Sequence, residues 1–223
     1  MIRFAFTLVC ALTLAAQPTR YIRATGEASV SAKPDQAKVS VAVVTAASTA
    51  QEASSQNAAL VETVLAQLRA LLGPAADIKT TSYSLSPNYR YPQGQQPELT
   101  GYTARNSLEV TTGDLSIVGR VIDTAIGAGA NSVQGLRFTL QQDEPLRAQA
   151  LSQAAKEAKA HAEAIASGLG TRIGAVISAQ EGGAVRVVPV DVRTAPGAGA
   201  QTPIETGLVQ VYATVTVDVE IVQ

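Results

Sequence analysis

The chain has 223 residues with 17 basic and 18 acidic side chains, a formal charge of −1, one histidine, one cysteine, one methionine and no tryptophan. That balance excludes binding driven by charge to nucleic acid or to an anionic membrane, and 4% aromatic content leaves little for base-stacking platforms. The length suits one domain, or two small halves, with enough buried surface to fold without a disulfide or metal staple.

Residues 1–16, MIRFAFTLVCALTLAA, place Arg3 before an apolar run that ends in small residues. This is the pattern of a secretory signal peptide, with an apolar stretch too short for a permanent membrane anchor. Thr7-Leu8-Val9 before Cys10 lacks the small residue expected ahead of a lipidated cysteine. Cleavage near Ala15 or Ala16 removes Met1 and Cys10, so the mature chain, residues 17–223, holds no sulfur. Thiol catalysis, disulfide exchange and thiolate metal sites are then excluded. The expected location is the periplasm, with no transmembrane anchor after cleavage.

Two extended runs follow, Tyr21–Ala32 and 37–47, separated by Lys33-Pro34-Asp35. In the second, Val39, Val41 and Val43 alternate with Lys38, Ser40 and Ala42, the period of a half-buried strand. Thr49-Ala50-Gln51-Glu52 fits a capping box for a helix over 49–72, with Leu60, Val61, Val64, Leu65, Leu68, Leu71 and Leu72 at helical spacing and Gly73-Pro74 as its stop. Strands at 78–86 and 99–112 form a hairpin with a long tip. Asp114 caps a second helix at 115–128, which Gly127 and Gly129 close. A strand at 132–140 leads to an alanine-rich helix, 145–169, whose face carries Ala150, Leu151, Ala154, Ala155, Ala158, Ala162, Ile165 and Leu169. Strands at 174–180 and 207–222 complete the sheet. Between them, 182–205 reads as a long solvated loop in which Val185-Arg186-Val187-Val188 could pair with a neighbour's edge.

The element order gives two βαββ halves, about 37–112 and 132–222, within a single domain over 17–223. The expected fold is α+β: mostly antiparallel sheet with helices packed on one face. Exposed edges of such a sheet invite self-association.

Catalytic and metal patterns are sparse. His161 is the sole histidine; Glu157 and His161 at i, i+4 supply two ligands at most, short of a closed or catalytic site, and read as a helix-surface pair. No Gly-x-Ser-x-Gly elbow occurs, and Gly127-Ala128-Gly129-Ala130-Asn131 follows a helix instead of opening one, the wrong order for a phosphate loop. Asp143-Glu144 before Pro145 suits a helix N-terminus. The expectation is a non-enzymatic protein with no cofactor, no metal and no nucleic-acid partner. Tyr89, Arg90 and Tyr91, in a proline-flanked loop, are the candidate contact residues for a protein partner or a second copy.

Several short motifs occur in order along the chain. They are Gly26-Glu27-Ala28, Pro34-Asp35-x-Ala37, Thr80-x-x-Tyr83, Pro87-x-Tyr89 and Gly101-Tyr102-x-Ala104-x-Asn106, then Asp123, Gly129-Ala130-Asn131, Gly135-x-x-Phe138 and the spaced alanines ending at Leu169-Gly170. As a set they resemble the SIMPL-domain family across the mature chain. Ala28 departs from the pattern, where the family often has a second glycine. The resemblance implies an α+β fold with βαββ units, export to the periplasm or outer envelope, and ring-like homo-oligomers. It also implies a loose link to oxidative-stress defence and, in animal relatives, binding to a signalling kinase. It brings no catalytic residues.

Overall fold

The computed structural model of the chain describes residues 20–182, 186–190, 204 and 206–223. Its elements run β1 (Tyr21–Ala32), β2 (Gln36–Ala47), α1 (Ala50–Leu72), β3 (Asp77–Arg90), β4 (Glu98–Thr112), α2 (Val118–Gly127), β5 (Ser132–Thr139), α3 (Glu144–Gly168), β6 (Arg172–Glu181), β7 (Arg186–Val190) and β8 (Leu208–Val222). The fold is α+β and, among the described residues, its strand pairings are antiparallel. Residues 1–16, the expected signal peptide, lie outside the described residues.

The strands form two sheets instead of one. One has the order β3-β4-β2-β5; in the other β1 and β6 flank β8, and β7 also pairs with β8. Strand β5, which sequence order assigns to the second half, therefore joins the first, and β1 joins the second. For β5 the pairing is held at its first residues. At the exit of α2, Gly129 takes φ +119°, and the Asn131 N–H reaches the carbonyl of Ala42. The Asn131 side chain then accepts from Val44 N (2.9 Å) and donates to Val44 O (2.7 Å), acting as a one-residue strand that starts β5 alongside β2.

Each sheet has its own core. Against the first lie α1 and α2: Val39, Val41, Val43, Leu108 and Val110 meet Val61, Val64, Leu68, Val118, Val121 and Ile122. Thr49 caps α1 by accepting from Glu52 N (3.2 Å), one half of the predicted box; the other half does not form, because the Glu52 carboxylate turns to Ser48 and Gln56. Gly73, at φ +90°, ends the helix with its N–H on Arg69 O (2.8 Å). The second helix begins as a short 3-10 turn, Leu115–Ile117, capped by Asp114.

The second core is built from smaller parts. Ala150, Ala154, Ala158, Ala162 and Ala166, one per turn of α3, pack on Ile22, Ala24, Val211, Ala213, Val215, Val217 and Val219. Ile165 and Leu169, expected on this face, point outward, and Ala166 takes the place in register. Gly26 explains why the stripe is alanine: a Cβ there would sit 2.3 Å from Ala154 O and Ala158 N. The helix backbone rests on the strand, and only small residues permit that approach.

Two loop expectations change. Arg186–Val190 is a strand paired with β8 of the same chain, Val187 opposite Val211, because β6 covers only the C-terminal part of β8 and leaves its N-terminal part open to a partner. Most of the remaining 182–205 segment lies outside the described residues. Tyr89 and Arg90 belong to β3 instead of a loop, since β3 runs on to Arg90.

Candidate functional site

Pairing of β2 with β4 ends at Ala47 opposite Tyr102, whereas β3 and β4 stay paired as far as Arg90 opposite Glu98. The last rungs of the hairpin thus pass the end of β2 as an arm. Gly101 makes this exit sterically feasible: its φ is +145°, and a Cβ would lie 2.5 Å from Ala47 O. The register skips Thr100 at this point, a β-bulge between Asn88 and Tyr89. Asn88 secures the arm through Thr103 (2.8 Å side chain to side chain) and by accepting at its carbonyl from Thr100 Oγ1 (3.0 Å).

On the arm, Tyr89 and Tyr91 are exposed, Tyr91 by 74%. Arg90 is committed within the chain: its Nη2 lies 2.7 Å from Glu98 Oε2, a cross-strand pair that closes the arm. Sequence reasoning missed the rest of the surface. Tyr83, Leu85, Pro87 and Tyr89 occupy alternate positions of β3 and so share a face, and Leu99 stands opposite Tyr89. Tyr83, Leu85 and Leu99 are exposed. Tyr83 Oη meets Ser54 Oγ at 3.0 Å, so this strip begins at the N-terminal turns of α1 and runs outward beyond the helix. The period-two pattern across 83–89 was the available signal. β3 is also the end strand of its sheet, so one side of its backbone has no strand partner among the described residues.

The other sheet treats its end strand differently. His161 Nδ1 lies 2.7 Å from the Thr25 carbonyl, and Glu157 Oε2 accepts from Glu27 N at 2.8 Å. The side chains of α3 therefore occupy backbone groups of β1 that face away from β8. A carbonyl and an amide two residues apart on the strand meet groups four apart on the helix. Glu157 Oε1 and His161 Nε2 are 3.9 Å apart. The pair read from the sequence as a helix-surface pair thus also serves as a stand-in for a neighbouring strand, and among the described residues no three His, Cys, Asp or Glu side chains come together.

Four carboxyl groups are held below the usual carboxylate range. Asp218 falls to about 2 because Arg23 donates to it at 2.7 and 2.9 Å and Ser178 at 2.8 Å; the same contact raises Arg23. Asp77, Asp114 and Asp143 are lowered by hydrogen bonds from Lys79, Ser116 and Arg147. These are ionised surface carboxylates held by donors, a different arrangement from a carboxyl held protonated as a general acid. No helix among the described residues is long and apolar enough to cross a membrane.

The family model SIMPL, described as a protein of unknown function (DUF541), matches residues 22–219. The 26 kDa periplasmic immunogenic protein of Brucella melitensis is 32% identical over 164 residues, covering 69% of this chain and 64% of that protein. The uncharacterized protein YggE of Escherichia coli K12 is 28% identical over 158 residues, covering 71% of this chain and 64% of that protein. YggE of Edwardsiella ictaluri is 27% identical over a stretch of the same length. The chain thus spans somewhat less than two thirds of the length of these relatives.

Proposed function

The chain belongs to the SIMPL family, and on that premise we propose that it is an exported, non-enzymatic envelope protein that assembles with copies of itself and contributes to oxidative and envelope stress tolerance. The observation that carries the assembly is the bare edge of β3 with its strip of Tyr83, Leu85, Tyr89 and Leu99, since an exposed end strand with an apolar face is a template for association. The secretory pattern of residues 1–16 and the word periplasmic in the name of the Brucella relative support a periplasmic location, with outer-envelope association as a further part of the proposal. With Met1 and Cys10 removed, the stress role is scaffolding or shielding instead of thiol turnover.

Light scattering coupled to size exclusion on residues 17–223 tests the assembly. The expected result is a discrete oligomer for the natural chain and a monomer when Tyr83, Tyr89 and Leu99 become serine together. A monomeric natural chain contradicts the proposal. A second reading, an adaptor that holds a protein or peptide partner, is favoured by the projection of Tyr89 and Tyr91 past the sheet. Recovery of an envelope partner by the natural chain, lost when both tyrosines become alanine, distinguishes it.

A further inference from the structure

The helix-free face of the first sheet holds a notch of about 220 Å³ lined by Lys38, Ser40, Glu109, Gln134, Gly135, Leu136 and Arg137. The register explains its shape and its charge. Gly135 stands opposite Ser40, so the floor lacks a large side chain, and the β2–β5 ladder shifts immediately beyond, between Ser40 and Val41. Two rungs away, on the same face, Lys38 stands directly opposite Arg137. Like charges in that position repel one another, an arrangement that sheets avoid unless something offsets it.

Internal partners offset it only in part. Lys38 Nζ is 3.9 Å from Glu109 Oε1, a long contact. The Arg137 guanidinium makes no ion pair or hydrogen bond with a described residue. The neighbouring Arg105 differs: it donates to Ser132 at 3.2 Å, and the Gln134 carbonyl, with the amide turned to suit its surroundings, accepts from it at 2.7 Å. The unsatisfied cations are therefore at the notch and not spread across the sheet face.

We propose that this notch binds a small monocarboxylate, with Arg137 and Lys38 taking the two oxygens and the Ser40 hydroxyl donating at the floor. Charge selects the class. Lys38, Arg137 and Glu109 sum to +1, which a monoanion neutralises, while Glu109 beside Ser40 opposes a dianion such as phosphate. Volume sets the size: a 150 Å³ cavity holds a benzene ring, so 220 Å³ admits an acid somewhat larger than that. Two sources share this chemistry, a free organic acid and the C-terminal carboxylate of a peptide.

The test is an amide-resolved NMR titration of residues 17–223 with sodium acetate, sodium chloride at matched ionic strength, inorganic phosphate, and tri-alanine with a free or an amidated C-terminus. The expected result is saturable shifts at Ser40, Gly135 and Arg137 with acetate, and affinity for phosphate several-fold weaker. Arg137→Gln should weaken acetate at least tenfold. Gly135→Val should abolish binding without unfolding the sheet, because no atom lies within 4 Å of a Cβ built there. Tighter binding of free than of amidated tri-alanine, and of the free peptide than of acetate, assigns a peptide terminus; acetate binding with no gain from the peptide assigns a free acid. Arg137→Gln should also raise the melting temperature at low salt and remove any acetate-induced rise. Shifts that chloride reproduces, or that survive both substitutions, overturn the proposal.

Discussion

Strands β1 and β3 both stand at the end of a sheet, yet the molecule treats them in opposite ways. Along β1 the helix α3 lies so close that Gly26 has no room for a Cβ, and Glu157 and His161 reach round to take Glu27 N and Thr25 O. Along β3, among the described residues, no helix side chain bonds to the backbone edge; Tyr83 and Ser54 meet through their hydroxyls, and the strand continues past its helix with apolar side chains exposed. The two devices are costly in different ways. Covering β1 requires an alanine stripe and a glycine seat, whereas leaving β3 open risks unwanted pairing, which Pro87 and the bulge at Asn88–Tyr89 limit without abolishing. The proposal that β3 is the associating edge rests on this difference between the two strands.

The strongest way to break this comparison is at Gly26. Gly26→Ala places a carbon 2.3 Å from two backbone atoms of α3, so helix and strand must separate. A loss of roughly 3 kcal/mol or more is expected in denaturant unfolding, together with exposure of the β1 edge. Gly101→Ala strikes the other edge. Its φ of +145° and the 2.5 Å approach to Ala47 O predict a loss of about 2 kcal/mol, with the β3–β4 arm displaced and self-association weakened.

How much of this contrast was legible in the sequence differs between the two edges. β2 and α1 followed from the alternation of Val39, Val41 and Val43, the Thr49 cap and the Gly73 stop, because these signals act within a few residues. Membership of a sheet did not follow: β5 joins β2 through Asn131 and β1 joins β8 across nearly the whole chain, and nothing local encodes those pairings. Tyr89 and Tyr91 stood out as tyrosines beside prolines, and both are exposed. Arg90 looked equally available, but its partner Glu98 became visible only once the hairpin register was known. His161 reads from the sequence as one of a helix-surface pair with Glu157, and its further partner, the Thr25 carbonyl, is hidden for the same reason, being 136 residues away.

A finer test removes the guard and leaves the seat. Glu157→Ala with His161→Ala frees two edge groups of β1 at a cost of about 1 kcal/mol for each lost hydrogen bond. Faster amide exchange at Glu27 and a new, larger species in size exclusion are expected; an unchanged exchange rate would mean that the side chains guard nothing. The smallest effect concerns pH. Asp218 has a folded pKa near 2, below its ordinary 3.8, so the stability it contributes is present above the unfolded value and is lost as pH falls through about 2. Asp218→Asn should therefore flatten the acid limb of the stability curve between about pH 4 and 2, leaving neutral-pH assembly unchanged.

The most direct test of the contrast between edges is hydrogen exchange read by mass spectrometry on residues 17–223 over a range of protein concentrations. Protection across β3 and the arm should rise with concentration while β1 stays at its high, concentration-independent level. Protection that rises along β1 instead, or along neither strand, would contradict the assignment of β3 as the associating edge.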